Sequence, residues 1–290
     1  MEADKSRSLI QLLDDPDNLV FEAVSEKILQ VGIAMVPDLE MAAKQAMSSV
    51  LFERIEHIIK ILHFNQLKED FRQWILNPNP RLIDGAWLMA RYQFPDLSKQ
   101  DFYKSIKPLR DEIWLELSDT LTALEKITVM NTLVFGRKRV LLNSDHPNSP
   151  GNNFIHRMIE TGKANAHSIN LLYAILAQES GIPLFVVDTP DYPLLAYVDM
   201  PFGVDENLDP ELFDVLFYVN PVDKGLLHSR SNITEFLIRQ KLPLDPIYYN
   251  PRANTEFIRI CLNRLSLDYD YSGSKIRSMH IEDLGTLWKL

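Results

Sequence analysis

The residues able to do chemistry are few and poorly grouped. Among 290 residues there is one cysteine, Cys261, set between Ile260 and Leu262. That setting suits a small buried hydrophobe better than a nucleophile. A lone cysteine also excludes an internal disulfide and a cysteine-based zinc site. Seven histidines are present. His57 and His63 are six apart, off the i, i+4 spacing that would aim both at one metal. His146, His156, His228 and His280 have no carboxylate at ligand spacing, so no metal is expected. His167 and Ser168 are adjacent, and neighbours on a helix do not face each other, so they make a poor dyad. Asp268-Tyr269-Asp270-Tyr271-Ser272-Gly273 opens like a calcium loop. It then has Lys275 where an apolar residue is needed and Met279 where the bidentate glutamate belongs. It reads instead as a loop between the last helices.

Composition removes further classes. Ten glycines are about half the usual ~7% share, and neither phosphate-binding glycine motif occurs. The net charge is −10, and the only tight basic cluster, Arg137-Lys138-Arg139, reads as a solvated turn. Nucleic-acid binding is therefore not expected. No cofactor is expected either. Met1 to Ser8 is charged and lacks a signal-peptide core, and no apolar run approaches the ~18 residues of a membrane helix. The expectation is a soluble, cytoplasmic protein.

The elements that must position these groups are mostly helical. Val20, Val24 and Ile28 form one stripe after an Asp15-Pro16-Asp17 cap. Gly32 and Pro37 separate it from a second helix with Asp38 in its first turn. Leu51 to Leu62 and Leu67 to Ile75 read as a second pair of helices. Asn77-Pro78-Asn79-Pro80 is a turn cluster and the expected seam. Further helices are expected from Leu82 to Tyr92, from a Ser98 cap to Leu117 with Pro108 as a kink or break, and from Leu121 to Phe135. Asn143 to Asn153 is a loop. Ala166 to Ser180 is a helix, stopped by Gly181-Ile182-Pro183. Strands follow at Leu184 to Val187, Leu194 to Asp199 and Val215 to Asn220. A helix feeding consecutive strands gives an α+β layout with a small antiparallel sheet.

Leu12-Leu13-Asp14-Asp15-Pro16-Asp17 with Val20, Val24, Gly32 and Val36-Pro37 resembles a HEAT-type helical repeat. The later strings resemble the transglutaminase-like superfamily, nearest to its Sir B-one type branch. They are Asp84-Gly85-Ala86-Trp87 with Phe94-Pro95-Asp96-Leu97, Pro150-Gly151-Asn152-Asn153-Phe154, Ser168-Ile169-Asn170-Leu171-Leu172-Tyr173 after Gly162, Gly181-Ile182-Pro183 with Val187, and Tyr248-Tyr249-Asn250-Pro251-Arg252-Ala253-Asn254 with Leu262-Asn263-Arg264-Leu265. The resemblance implies a papain-like core, a central helix against the sheet. It divides the chain into a helical HEAT-like region (1–78), a core with its preceding helices (79–230) and a helical tail (231–290).

The same resemblance implies a cysteine at the start of the central helix, where the helix dipole favours thiolate, with a histidine base and an aspartate on the following strands. Those positions fall at about Ala166 (within Asn165 to Ser168), at Tyr192 and at Asn220. None carries the reactive group. Tyrosine, with an ordinary pKa of about 10, is no base at neutral pH. The leading expectation is thus a non-catalytic scaffold or ligand-binding module with a degenerate cleft of Asn165, Ala166, His167, Ser168, Tyr192 and Asn220. The competing expectation is a hydrolase or acyl-transfer enzyme with a shifted nucleophile. A third places function in the N-terminal helices as a protein-binding surface.

Overall fold

The structure is a computed structural model that describes residues 8–137, 140–191, 193–200 and 209–289. Tyr192, Lys138 and Arg139, and most of the charged N-terminal stretch, lie outside the described residues. The chain forms two compact units, Met1–Arg72 and Gln73–Leu290.

In the first unit, helix α1 (Asn18–Val31) starts at Asp17, whose carboxylate accepts from the Leu19 backbone N–H at 2.9 Å. Gly32 ends it at φ 84°. Helix α2 (Val36–Gln45) follows, with Asp38 in its first turn. The two helices read from Leu51 to Leu62 and Leu67 to Ile75 are one helix, α3 (Ser49–Ile75). No glycine or proline falls between Leu62 and Leu67, so nothing breaks the turn there. Leu13, Ile28, Leu39, Ile55 and Leu62 form this unit's core. Arg54 ties the entry turn to α3 by donating to the carbonyls of Leu13 and Asp15, both at 2.8 Å.

The second unit is α+β. Helix α4 (Leu82–Gln93) leads to α5 (Lys99–Glu116), capped by Ser98 accepting from the Asp101 N–H. Pro108 lies inside α5 without ending it. The residue is exposed, so the Lys104 carbonyl it leaves without a partner can bond water. The expected helix from Leu121 to Phe135 is in two parts. Ala123–Asn131 (α6) is α-helical, with a Thr122–Glu125 capping box, and a π-helical stretch continues from Thr132 to Arg137. Helix α7 (Ile155–Thr161), unforeseen in the sequence, closes at Gly162 in the left-handed conformation.

The central helix α8 (Ala166–Gln178) is buried on every side from Ser168 to Ala177. A helix apolar all round belongs in a core. It packs on β3 (Leu184–Val187) and β4 (Leu194–Val198). With β5 (Val215–Asn220) and β6 (Leu226–His228), these form an antiparallel sheet in chain order. Its opposite face is covered by α9 (Arg230–Arg239), through Leu194, Ala196, Tyr218, Ile233 and Leu237. A separate pair of two-residue strands, β1 (Leu141–Leu142) and β2 (Lys163–Ala164), runs parallel. Helices α10 (Asn254–Tyr271) and α11 (Lys275–Gly285) close the chain. Residues 268–273, read as a loop, are thereby corrected. Asp268 to Tyr271 are the last turn of α10, Ser272 caps it, and Gly273 follows in positive φ.

Candidate functional site

The start of α8 is held by polar side chains. Asn165 is its cap, accepting from the Ser168 N–H at 2.9 Å. Its amide nitrogen donates to Asn153 Oδ1 at 2.8 Å. Asn153 in turn donates to Asp268 Oδ2 at 2.7 Å, and Asp268 pairs with Arg264 at 2.6 Å. Arg264 also donates to Asn148 Oδ1 at 2.9 Å. Asn165, Asn153 and Asp268 are all buried. The chain therefore fixes the beginning of its central helix with a row of hydrogen bonds that ends on a carboxylate from α10. Burial raises the Asp268 pKa above the ordinary carboxylate range, against the lowering effect of Asn153 and Arg264.

Other expected site residues fit around this row. Ala166 is half-buried, and its carbonyl accepts from the buried Asn170 amide at 2.8 Å. Ser168 is buried and His167 half-buried. Neither the Ser168 hydroxyl nor the His167 ring has a hydrogen-bond partner among the described residues, so no serine–histidine pair forms. Burial, and then the nearby Arg264 charge, push the His167 pKa down from 6.5 to about 4. The ring is neutral at physiological pH.

This depression has a testable sign. Between pH 6.5 and about 4 the unfolded chain binds the His167 proton and the native state does not, so stability falls as pH falls through that window. The full effect is up to about 3 kcal/mol, at about 1.4 kcal/mol per pKa unit. Asp268, with its raised pKa, acts in the opposite sense. Denaturant titrations of the wild type and His167→Gln across pH 4 to 7 isolate the histidine, because the Asp268 contribution cancels in the difference. The wild type should lose more stability than the variant on acidification. Parallel curves would show that His167 titrates normally.

Asn220 ends β5, and its Oδ1 accepts from the Val222 and Asp223 N–H groups at 3.1 and 3.3 Å. The Pro221–Asp223 turn it caps packs on α8. Beside Asn220 is a cavity of about 300 Å3 whose lining includes Thr189, Asp191, His228, Glu235 and Arg239. Of the described residues expected in the degenerate cleft, Asn220 lines this cavity and Asn165, Ala166, His167 and Ser168 do not; Tyr192 lies outside the described residues. The cavity's charged and polar lining was not foreseen, because α9 and β6 supply much of it. The Asn153–Asp268 bond was also missed. The Pro-Gly-Asn-Asn-Phe string marked Asn153, but nothing in the sequence ties it to a residue 115 positions on.

Cys261 is in the middle of α10, fully enclosed, and burial raises its thiol pKa. Among the described residues, no group of three or more His, Cys, Asp or Glu could hold a metal ion. No helix among them is long and apolar enough to cross a membrane.

Comparison with known proteins matches residues 100–263, more than half of the chain, to the model of one family, described as the transglutaminase-like superfamily. No curated protein and no solved structure matches.

Proposed function

Because the chain belongs to the transglutaminase-like superfamily, we propose that it uses this fold without covalent catalysis, as a cytoplasmic binding module of the Sir B-one type branch. Its ligand would occupy the cavity beside Asn220. The observation that carries this reading is the start of α8. There the expected nucleophile position holds a half-buried alanine, flanked by an asparagine whose amide is consumed in capping and in the bond to Asn153. The one thiol is buried in another helix with its pKa raised. A thiol kept protonated and enclosed is neither nucleophilic nor accessible.

Two measurements test it. Iodoacetamide should leave Cys261 unmodified in the native protein and alkylate it only after denaturation. Amidase, protease and transglutaminase assays should show no turnover. Turnover abolished by Ser168→Ala or His167→Ala would establish the shifted-nucleophile enzyme instead. A ligand found by thermal-shift screening should lose affinity in His228→Ala and Arg239→Ala, both of which line the cavity.

The N-terminal helices favour a second, compatible role as a HEAT-like surface for protein partners. Leu19, Val31, Met41, Met47 and Val50 are exposed apolar side chains of that unit.

A further inference from the structure

A second concavity, of about 440 Å3, lies along α5 and shares no lining residue with the cavity beside Asn220. Its floor is apolar. Ile83 of α4 and Ile106 of α5 are buried there, and the half-buried Tyr103 lines the groove with them. The rim is cationic, with Lys99, Lys104, Lys107 and Arg110. Lys99, Tyr103, Ile106, Lys107 and Arg110 recur at i, i+4, i+7, i+8 and i+11, so one face of one helix supplies most of the site. In a chain of net charge −10, this face is a local reversal of sign.

The charges around the groove do not cancel. Lys99 pairs with Asp84 at 2.5 Å and Lys104 with Asp101 at 3.5 Å. Lys107 and Arg110 share one carboxylate, Asp111. Glu179, on the far wall, is held by both oxygens by Arg81, at 2.7 and 2.9 Å. Among these described residues, five cations face four carboxylates. The lysine side chains are half exposed or more, and exposed ion pairs of this kind contribute little net energy. Their flexible ammonium groups can leave a surface carboxylate for another anion at small cost.

We propose that this groove binds an amphipathic anion, an apolar chain or ring carrying a single carboxylate or sulfonate head. The apolar body would lie on Ile83, Ile106 and Tyr103, and the head would be taken by Lys104 and Lys107. The volume is in the range of small-molecule sites, which are mainly apolar with a few placed polar groups. A purely polar anion would leave the floor wet, and a neutral apolar molecule would leave the surplus cation unanswered.

Dodecanoate is a suitable probe and dodecanol its neutral control, both titrated calorimetrically below micelle-forming concentration into the full chain. Dodecanoate should bind at one site, more weakly as salt rises, and dodecanol several-fold more weakly. Lys104→Glu/Lys107→Glu should weaken dodecanoate binding by about tenfold or more, since two attractions become repulsions. Lys275→Glu/Lys289→Glu makes the same charge change at exposed positions that do not line the groove and should leave binding unaltered. Both pairs are on the surface, and equal circular dichroism spectra would show that folding is unchanged. No binding, equal binding of dodecanol, or equal loss in both double variants would overturn the proposal.

Discussion

Asp268→Ala should be among the most destabilising single substitutions in the chain, costing about 3 kcal/mol or more in denaturant unfolding. The carboxylate has no exposed surface, and it serves two elements at once. Through Oδ2 it accepts from Asn153, which holds the Asn165 cap of α8, and through Oδ1 it pairs with Arg264. Removing it leaves one of the two Asn153 amide N–H groups without an acceptor in a buried place, the nitrogen keeping only its bond to the Pro150 carbonyl at 3.2 Å, which costs about 1–3 kcal/mol alone. It also leaves Arg264 uncompensated. The Arg264 side chain is 24% exposed and can reach water, so the penalty stays near the lower end of the range for broken buried pairs. Asp268→Asn keeps the volume and an acceptor for Asn153 and loses only the charge, so it should cost distinctly less. That ordering separates a hydrogen-bonding role from a charge role. If alanine and asparagine are equally damaging, the ion pair dominates. If neither is damaging, Asp268 is not what holds the α8 start.

Much of this arrangement was legible from the sequence, and the missing parts share a cause. The central helix could be read because it is apolar all round and ends at glycine, a local pattern. Three strands of the sheet were readable for the same reason, as β-branched and aromatic runs. Local rules failed where the deciding interaction is distant or weak. β6 is three residues long and exists because Tyr218 pairs with His228, not because Leu226-Leu227-His228 favours extension. The turn residues Asp270, Ser272 and Gly273 suggested a loop. Yet Asp268 and Tyr269 are drawn into α10 by burial against Asn153 and against Gln93, whose side chain accepts from the Tyr269 hydroxyl at 2.6 Å. The candidate site divides the same way. Asn165 and Ser168 could be placed at a helix start by counting back from Gly181. The partners that determine what Asn165 can do, Asn153 and Asp268, are on a turn and a helix that only the tertiary fold brings together. The groove on α5 was not read from the sequence, because its apolar floor depends on how α4 and α5 pack.

Gly85→Ala should be destabilising by roughly 2 kcal/mol, although it is a glycine in a helix interior, where alanine is ordinarily favoured by about 1 kcal/mol. The opposite sign follows from what surrounds the position. A Cβ built on Gly85 comes within 2.5 Å of Trp74 Cζ2 and 2.6 Å of Ile258 Cγ1. Neither atom is the free end of a flexible chain. The Trp74 ring is buried and anchored, its indole N–H donating to the Arg81 carbonyl at 3.0 Å. Ile258 is fully buried on α10, which packs on α4. The two helices approach so closely because one of them offers no side chain here. An added methyl must separate them or rotate the indole off its hydrogen bond, and overpacking of this kind costs about 1–3 kcal/mol before the propensity gain is subtracted. A double-mutant cycle with Trp74→Phe decides the cause, since phenylalanine removes the indole atoms nearest the new Cβ. The cost of Gly85→Ala should shrink in that background. An unchanged cost would place the conflict on Ile258 alone, and a stabilising Gly85→Ala in the wild type would show that α4 and α10 can separate freely.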